Sequence, residues 1–239
     1  KPVTPKLNNK IYVTFTFGEG DNLQYDQNHM RNLWDDPARG QVPMNWSASP
    51  LLVDAAPAIL DYYQSTATKN DLLVAGPSGA GYFSPQVWPE ESFAQFMKDS
   101  YPYLKKSGMS YPFVINRQDA RDVPLTGSKA EAYVEYLKVP GLFLGGGSEN
   151  YVEIVNGNLP VSYFKGTATV RDGINILNDA KAAWDGNSPM FVSVGVNAWS
   201  MRPSDVVAIT QALGPEFEVV LADTYFALIR EAYGLPKKP

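Results

Sequence analysis

Four carboxylic acids stand where short apolar runs of this sequence end: Glu19, Asp21, Glu149 and Asp223. Glu19 and Asp21 leave the same run together, and on an extended backbone residues two apart share a face. Hydrolysis of a glycosidic bond needs two such groups, because one protonates the leaving oxygen while the other attacks the sugar or activates water. We therefore take these four acids as candidate catalytic residues, although Asp21 and Asp223 also suit helix N-caps.

Amides and aromatic rings occur at the same run ends. A sugar ring stacks its apolar face on an aromatic side chain, and its hydroxyls bond to amides and carboxylates. The stretch "VAGPSGAGYFSPQVWPE" adds a glycine-rich backbone that a ligand can approach closely. The candidate substrate-binding residues are Asn22, Trp46, Gly79, Gly81, Tyr82, Asn116, Asn197 and Trp199.

Other reaction types lack their usual residues. The chain has one histidine and no cysteine, which disfavours a zinc hydrolase and excludes a thiol nucleophile. His29 fits a polar position on a helix, and no G-x-S-x-G motif accompanies it. The segment "GPSGAG" lacks the lysine of a phosphate-binding loop, and no complete G-x-G-x-x-G occurs. We expect no cofactor and no metal, with a hard cation on Asp21, Asn22 and Asp26 as the open alternative.

Short apolar, β-branched runs alternate with amphipathic helical patterns along the chain. Several runs are apolar on both faces, which is typical of parallel strands covered on both sides. This order predicts an α/β fold, a TIM-like (β/α)-barrel of seven or eight parallel strands, compact or irregular, with a doubly wound open sheet as the alternative. The predicted strands are 11–17, 42–48, 71–76, 112–116, 141–146, 159–164, 189–197 and 217–223.

Length and charge narrow the class of protein. The 239 residues carry a net charge of −5 and no basic cluster, which argues against a nucleic-acid partner. No apolar run is long enough to span a membrane. We expect residues 1–10 to be a linker or an N-terminal extension and residues 11–239 to form one domain, which leaves room for a further domain upstream in the parent protein.

Three segments resemble one known family. Residues 79–85 read G-x-G-Y-x-x-P, which resembles the signature of the GxGYxYP family of putative glycoside hydrolases, with Ser84 in place of the second tyrosine. "VTFTFGEGDNLQYDQNHMRNLW" looks like the family's first strand and the turn after it. "ADTYFALIREAYG" is similar to its closing segment. Together the resemblance covers about residue 11 to 234.

The resemblance implies a catalytic-type domain of a bacterial, secreted or cell-envelope protein that acts on an oligosaccharide or polysaccharide. A carbohydrate-binding or structural barrel without turnover is the alternative. In either case the barrel predicts that Glu19, Asp21, Tyr82, Glu149, Asn197 and Asp223 converge at the carboxyl ends of the strands. Carboxylates buried there should have raised pKa values, as a general acid requires.

Overall fold

Nine strands form one sheet that is nearly closed into a barrel. The structure is a computed structural model, and it describes residues 6–146 and 149–237. In chain order the strands are β1 (Ile11–Phe17), β2 (Met44–Ala48), β3 (Asp71–Ala75), β4 (Phe113–Val114), β5 (Arg117–Gln118), β6 (Arg121–Asp122), β7 (Leu142–Leu144), β8 (Val152–Val155), β9 (Leu159–Thr167), β10 (Met190–Val196) and β11 (Phe217–Val219). The main path runs β3-β2-β1-β10-β9-β7-β4, all parallel, while β11 pairs with β1, and β8 pairs antiparallel with β9. The small hairpin β5–β6 stands apart.

Helices connect most of these strands. They are α1 (Met30–Trp34), which continues a π-helical turn at Tyr25–His29, α2 (Leu52–Ala55), α3 (Pro57–Thr66), α4 (Glu90–Ser107), α5 (Gly127–Glu135), α6 (Val170–Ala183), α7 (Pro203–Gln211) and α8 (Ala222–Ala232). The predicted irregular TIM-like barrel is confirmed, and eight of its strands are parallel. No helix in the described ranges is both long and apolar enough to cross a membrane.

Each face of the sheet packs against different helices. Side chains that alternate along β1 divide between two clusters, because successive residues of a strand point to opposite faces. Ile11, Val13 and Phe15 belong to the large cluster that the outer helices cover. Tyr12 faces inward and packs in a second cluster with residues of α8. The last helix therefore fills the lower half of the barrel and leaves the carboxyl ends of the strands open.

A side chain closes the seam between the two edge strands. No pairing joins β3 to β4 among the described residues. Instead the Ile115 N–H, just after β4, donates to the Ser78 hydroxyl at 3.0 Å. The same hydroxyl donates to the Phe83 carbonyl at 2.7 Å. The glycine-rich loop after β3 thus supplies a hydrogen bond that a neighbouring strand would otherwise make.

The hairpin β8–β9 was only half predicted. The sequence predicts a tight turn at Asn156-Gly157, and both residues have positive φ values of 51° and 73°. The strand before the turn was missed. This strand, Val152–Val155, has only four residues. Four residues are too few to show a clear alternation of apolar and polar side chains in the sequence.

A buried polar cluster joins α8 to the middle of the sheet. The Tyr225 hydroxyl lies 2.8 Å from the Ser162 hydroxyl, which in turn lies 2.9 Å from Ser193 Oγ. All three residues are fully buried. Tyr225→Phe should lower the free energy of unfolding by about 1 kcal/mol, the usual net value of one internal hydrogen bond. Urea denaturation would measure the change, and a loss above about 3 kcal/mol would mean that the ring itself had moved.

Candidate functional site

A cleft of about 650 Å³ opens at the carboxyl ends of the inner strands. Its floor consists of Phe113 and Phe164, whose ring centroids lie 4.8 Å apart. One layer above them the strands carry glycine rather than larger residues. A Cβ atom at Gly145 would come within 3.1 Å of Phe113, and one at Gly195 within 3.2 Å of Phe164. Glycine at this layer therefore creates the depth of the cleft.

Two carboxylates and one amide stand on the rim. Glu19 follows β1, Asn197 follows β10, and Asp172 lies in the first turn of α6 after β9. One oxygen of Asp172 accepts a hydrogen bond from the Thr169 hydroxyl at 2.8 Å, which fixes the side chain while the group stays exposed. The cleft thus combines an apolar floor with a few polar groups, as small-molecule sites do.

Sequence reasoning missed Asp172. Its backbone N–H donates to the hydroxyl oxygen of the N-cap Thr169, so the pattern T-x-x-D predicts only a capping arrangement. The signal that could have found it is its distance in sequence from the end of β9, because first-turn residues of a crossover helix lie at the carboxyl end of the preceding strand.

The turn that carries Glu19 and Asp21 is held against β2. The Gly20 N–H donates to the Ser47 hydroxyl at 2.9 Å. A Cβ on Gly20 would lie 1.9 Å from the Ser47 carbonyl oxygen, so only glycine allows this approach. Glu19 and Asp21 are both half-buried and leave the turn on either side of this contact.

Asp26 is the carboxyl group with the most unusual surroundings. It lies on the π-helical turn, is fully buried, and has no hydrogen-bond partner on either carboxylate oxygen among the described residues. Burial raises its pKa to about 8, and the charge of Asp21 adds to the rise. The Ser49 backbone N–H lowers the pKa of Asp26, but it is not within good hydrogen-bond geometry of the carboxylate. It therefore offsets only part of the rise that burial causes. Asp26 therefore keeps its proton at neutral pH.

Aromatic side chains from two parts of the chain stack beside this turn. The Trp199 ring lies 4.4 Å from the His29 ring at an interplanar angle of 15°, and its edge contacts Tyr25. His29 Nε2 is 2.7 Å from the Ala198 carbonyl. Asn197 Oδ1 accepts the Trp199 N–H at 2.9 Å. One face of the indole is thus supported by protein, while 59% of the residue stays exposed.

The rings of the glycine-rich loop serve two purposes. Phe83 is buried against Phe96 and Trp88 on the side of α4, so it caps the core. Tyr82 is 60% exposed and does not pack beneath a helix. Gly81 permits this division with φ at 127° and open space at its Cβ position, whereas a Cβ on Gly79 would face Phe83 and Leu137. Neither glycine lines the 650 Å³ cleft.

Glu149 lines a second, adjoining cleft of about 350 Å³. The two clefts share Gly145 and Gly146. Glu153 also lines the second cleft and accepts a hydrogen bond from the Tyr163 hydroxyl at 2.7 Å.

Asn22, a predicted substrate-binding residue, is exposed on the turn after β1, and its side-chain oxygen accepts the Tyr25 N–H at 2.7 Å.

Two predicted substrate-binding residues, Trp46 and Asn116, lie in the interior of the protein. Trp46 is fully buried, stacks on Phe17 at 4.7 Å and donates to Asp71 at 3.0 Å, because its side chain points to the face of β2 that the outer helices cover. Asn116 is also fully buried. Its amide donates to two backbone carbonyls of residues 123–124 and accepts the Gln86 N–H, so no polar atom is left for a sugar.

Asp223 does not join the other carboxylates at the carboxyl ends. Its strand β11 pairs only with Ile11–Val13, the first half of β1, and α8 then begins at the middle of the barrel. Tyr111 precedes β4, and burial raises the pKa of its hydroxyl to about 12, with the charge of Asp223 adding to the rise. Asp223 therefore lies toward the opposite end of the sheet.

The three candidate cation ligands of the first turn, Asp21, Asn22 and Asp26, differ in their exposure to solvent. Asn22 is exposed and bonds to the backbone of its own turn, while Asp26 is buried. Across the described parts of the chain, no three His, Cys, Asp or Glu side chains come together closely enough to hold a metal ion.

Known structures share this fold. A structure named as a putative hydrolase from Bacteroides thetaiotaomicron VPI-5482 matches with a TM-score of 0.78 and 21% identity, over 100% of this chain and 47% of that one. A putative polysaccharide deacetylase from Mycobacterium smegmatis matches with a TM-score of 0.58 and 13% identity, over 100% of this chain and 97% of that one. This chain therefore spans about half the length of the Bacteroides protein. At these identities the likeness is one of fold.

No curated protein matches the chain. The family model described as the GxGYxYP putative glycoside hydrolase C-terminal domain matches residues 9–230, which is nearly the whole chain. The expected family resemblance is thereby confirmed. The chain belongs to the GxGYxYP family of putative glycoside hydrolases, of which it represents the C-terminal domain.

Proposed function

We propose that this domain hydrolyses glycosidic bonds of an oligosaccharide or polysaccharide in the cleft at the carboxyl ends of its inner strands. The observation that carries the proposal is the cleft itself, with an aromatic floor, two rim carboxylates and one rim amide. Glu19 and Asp172 are the acid–base pair in this proposal, since they follow β1 and β9, the strands on either side of β10, and line the same space. Membership of the chain in a family of putative glycoside hydrolases supports glycoside hydrolysis as the reaction class.

Five of the other predicted residues take binding roles around that pair in this proposal. Asn197 hydrogen bonds to sugar hydroxyls from the rim, and Asp21 does so from the turn beside Glu19. Trp199 and Tyr82 offer exposed ring faces to sugar units that extend beyond the cleft. Glu149 contacts the substrate from the adjoining cleft. A bacterial, exported parent protein with an upstream domain fits this role.

Gly166 offers a test that removes no functional group. It lines the cleft, and a Cβ atom there would meet no atom within 4 Å. Gly166→Leu should therefore fold normally and fill the cleft with its side chain. We expect sugar release from the identified glycan to fall by more than about tenfold, with a smaller fall for Gly166→Ala, because the larger side chain excludes more of a sugar ring.

Ala58→Leu on α3 is the matched control, because it adds a leucine at an exposed position away from the cleft. Full activity of Gly166→Leu with an unchanged melting temperature would place the reaction elsewhere. A glycan array followed by reducing-sugar release from each hit tests the reaction class. Binding without release on every hit would instead establish a carbohydrate-binding module.

A further inference from the structure

A separate cavity lies at the opposite end of the barrel from both of these clefts. It has a volume of about 400 Å³ and lies between α8 and the segments that lead into β4 and β7. Three cationic side chains line it, Lys138, Arg230 and Lys237, and none of its lining residues is a carboxylic acid. The whole chain, in contrast, has a net charge of −5.

Arg230 is the central group of this cavity. Only 2% of the residue is exposed. Its Nη1 donates to the carbonyls of Pro140 at 2.9 Å and Asn158 at 3.3 Å, and its Nε donates to the carbonyl of Pro236. Nη2 makes no hydrogen bond within the ranges that the structure describes. Because Arg230 lines the cavity, this nitrogen is the group that remains for a ligand.

Within the described ranges, the groups that accept hydrogen bonds from this guanidinium are uncharged carbonyls. No carboxylate in the described parts of the chain forms an ion pair with Arg230. Burial lowers its pKa, which reflects the same desolvation, yet arginine remains charged at all ordinary pH values. Carbonyl oxygens satisfy the N–H groups they contact but carry no negative charge, and a buried cation without an anion is costly.

The other lining groups suit an organic anion. Ser110 and Tyr111 bring hydroxyl groups, and the pKa of Tyr111 is raised to about 12, so that hydroxyl is a neutral donor. The Tyr111 ring is held parallel to Phe226 at 5.5 Å, and Pro140 adds an apolar wall. An oxyanion would receive donors from Arg230, and a small carbon skeleton would contact the ring.

We propose that this cavity binds a small organic molecule through a phosphate, sulfate or carboxylate group held by Arg230, Lys138 and Lys237. Nη2 of the guanidinium supplies N–H donors to the oxyanion, and the two lysines add point charges. This inference does not depend on the reaction at the carboxyl ends, since the 400 Å³ cavity shares no residue with the 650 Å³ cleft.

Calorimetric titration of the wild-type protein at constant ionic strength tests the proposal. Inorganic phosphate and sulfate are the first probes, and glucose 6-phosphate and glucuronate are the second, while sodium chloride is the blank. We expect saturable binding. Glucose 6-phosphate or glucuronate should bind more tightly than inorganic phosphate and sulfate, because only an organic anion is large enough to contact the apolar wall as well. Tighter binding of the inorganic ions would mean that the site takes a free anion and would overturn the organic part of the proposal.

Lys138→Ala and Lys237→Ala remove exposed charges and leave Arg230 in place. Each should weaken binding about fivefold, the range of a partly exposed ion pair. Lys98→Ala is the matched control, because Lys98 lies over the Tyr136 ring and does not line the cavity. Absence of saturable binding by all four anions, or equal affinity in the variants and the control, would overturn the proposal.

Discussion

Glu19→Gln should lower kcat/KM on the cleaved glycan by at least about a hundredfold, which is the usual contribution of a positioned acid or base. The amide keeps the shape of the side chain but neither gives nor takes a proton. Asp172→Asn should have a loss of the same order, because hydrolysis needs both carboxyl groups. Reducing-sugar release under single-turnover and steady-state conditions would measure both losses.

A pair of substrates separates the two roles. An aryl glycoside with an acidic phenol needs little protonation of its leaving group, so the variant of the general acid should keep most of its activity on it. The variant of the other carboxylate should be impaired on both substrates. Asp61→Asn, at an exposed position of α3, is the control. Glu19→Gln and Asp172→Asn proteins with wild-type activity would rule out this pair.

Asp26→Asn should make the protein more stable than the wild type above pH 8. Burial raises the pKa of Asp26 to about 8 in the folded protein, whereas the unfolded chain has the ordinary value near 4. Between these values the folded state holds a proton that the unfolded state has lost. The wild-type free energy of unfolding should therefore fall as pH rises through this range, by up to about 1.4 kcal/mol per pH unit.

The asparagine variant has no proton to lose at this position, so this part of the pH dependence should disappear. Chemical denaturation at pH 5, 7 and 9 would compare the two proteins, and the difference in favour of the variant should grow with pH. Asp99→Asn on the exposed side of α4 is the control. Parallel stability curves for the wild type and Asp26→Asn would show that the Asp26 carboxyl ionises normally.

The order and type of the main elements follow from local sequence. Eight apolar runs of strand length alternate with amphipathic segments, and that periodicity depends only on neighbouring residues. The same runs placed Glu19 and Asn197 at strand ends, where both line the cleft. The family could also be identified from short segments, since residues 79–85 keep most of its motif.

Burial was decided by tertiary structure. Trp46 and Trp199 both come near strand ends in the sequence, yet one is fully buried and the other is 59% exposed. The predicted strand 42–48 ends where β2 ends, so the difference is one of face: Trp46 points to the side that the outer helices cover, where its ring contacts Phe17 and Trp34. The sequence predicts a strand that ends at Asp223, whereas β11 ends at Val219 and pairs only with the start of β1, so Asp223 lies in α8.

The sequence by itself determined the barrel-type fold, the family and a set of acids at strand ends. Only the tertiary structure decided which polar groups share a cleft and which lose their water. Asp172 reads locally as a capping residue and becomes a rim carboxylate because α6 follows β9. Asp26 and Arg230 are ordinary charged residues in the sequence, and their properties arise because distant segments exclude solvent around them. Desolvation is a sum over neighbours in space, so no local pattern of residues can specify it.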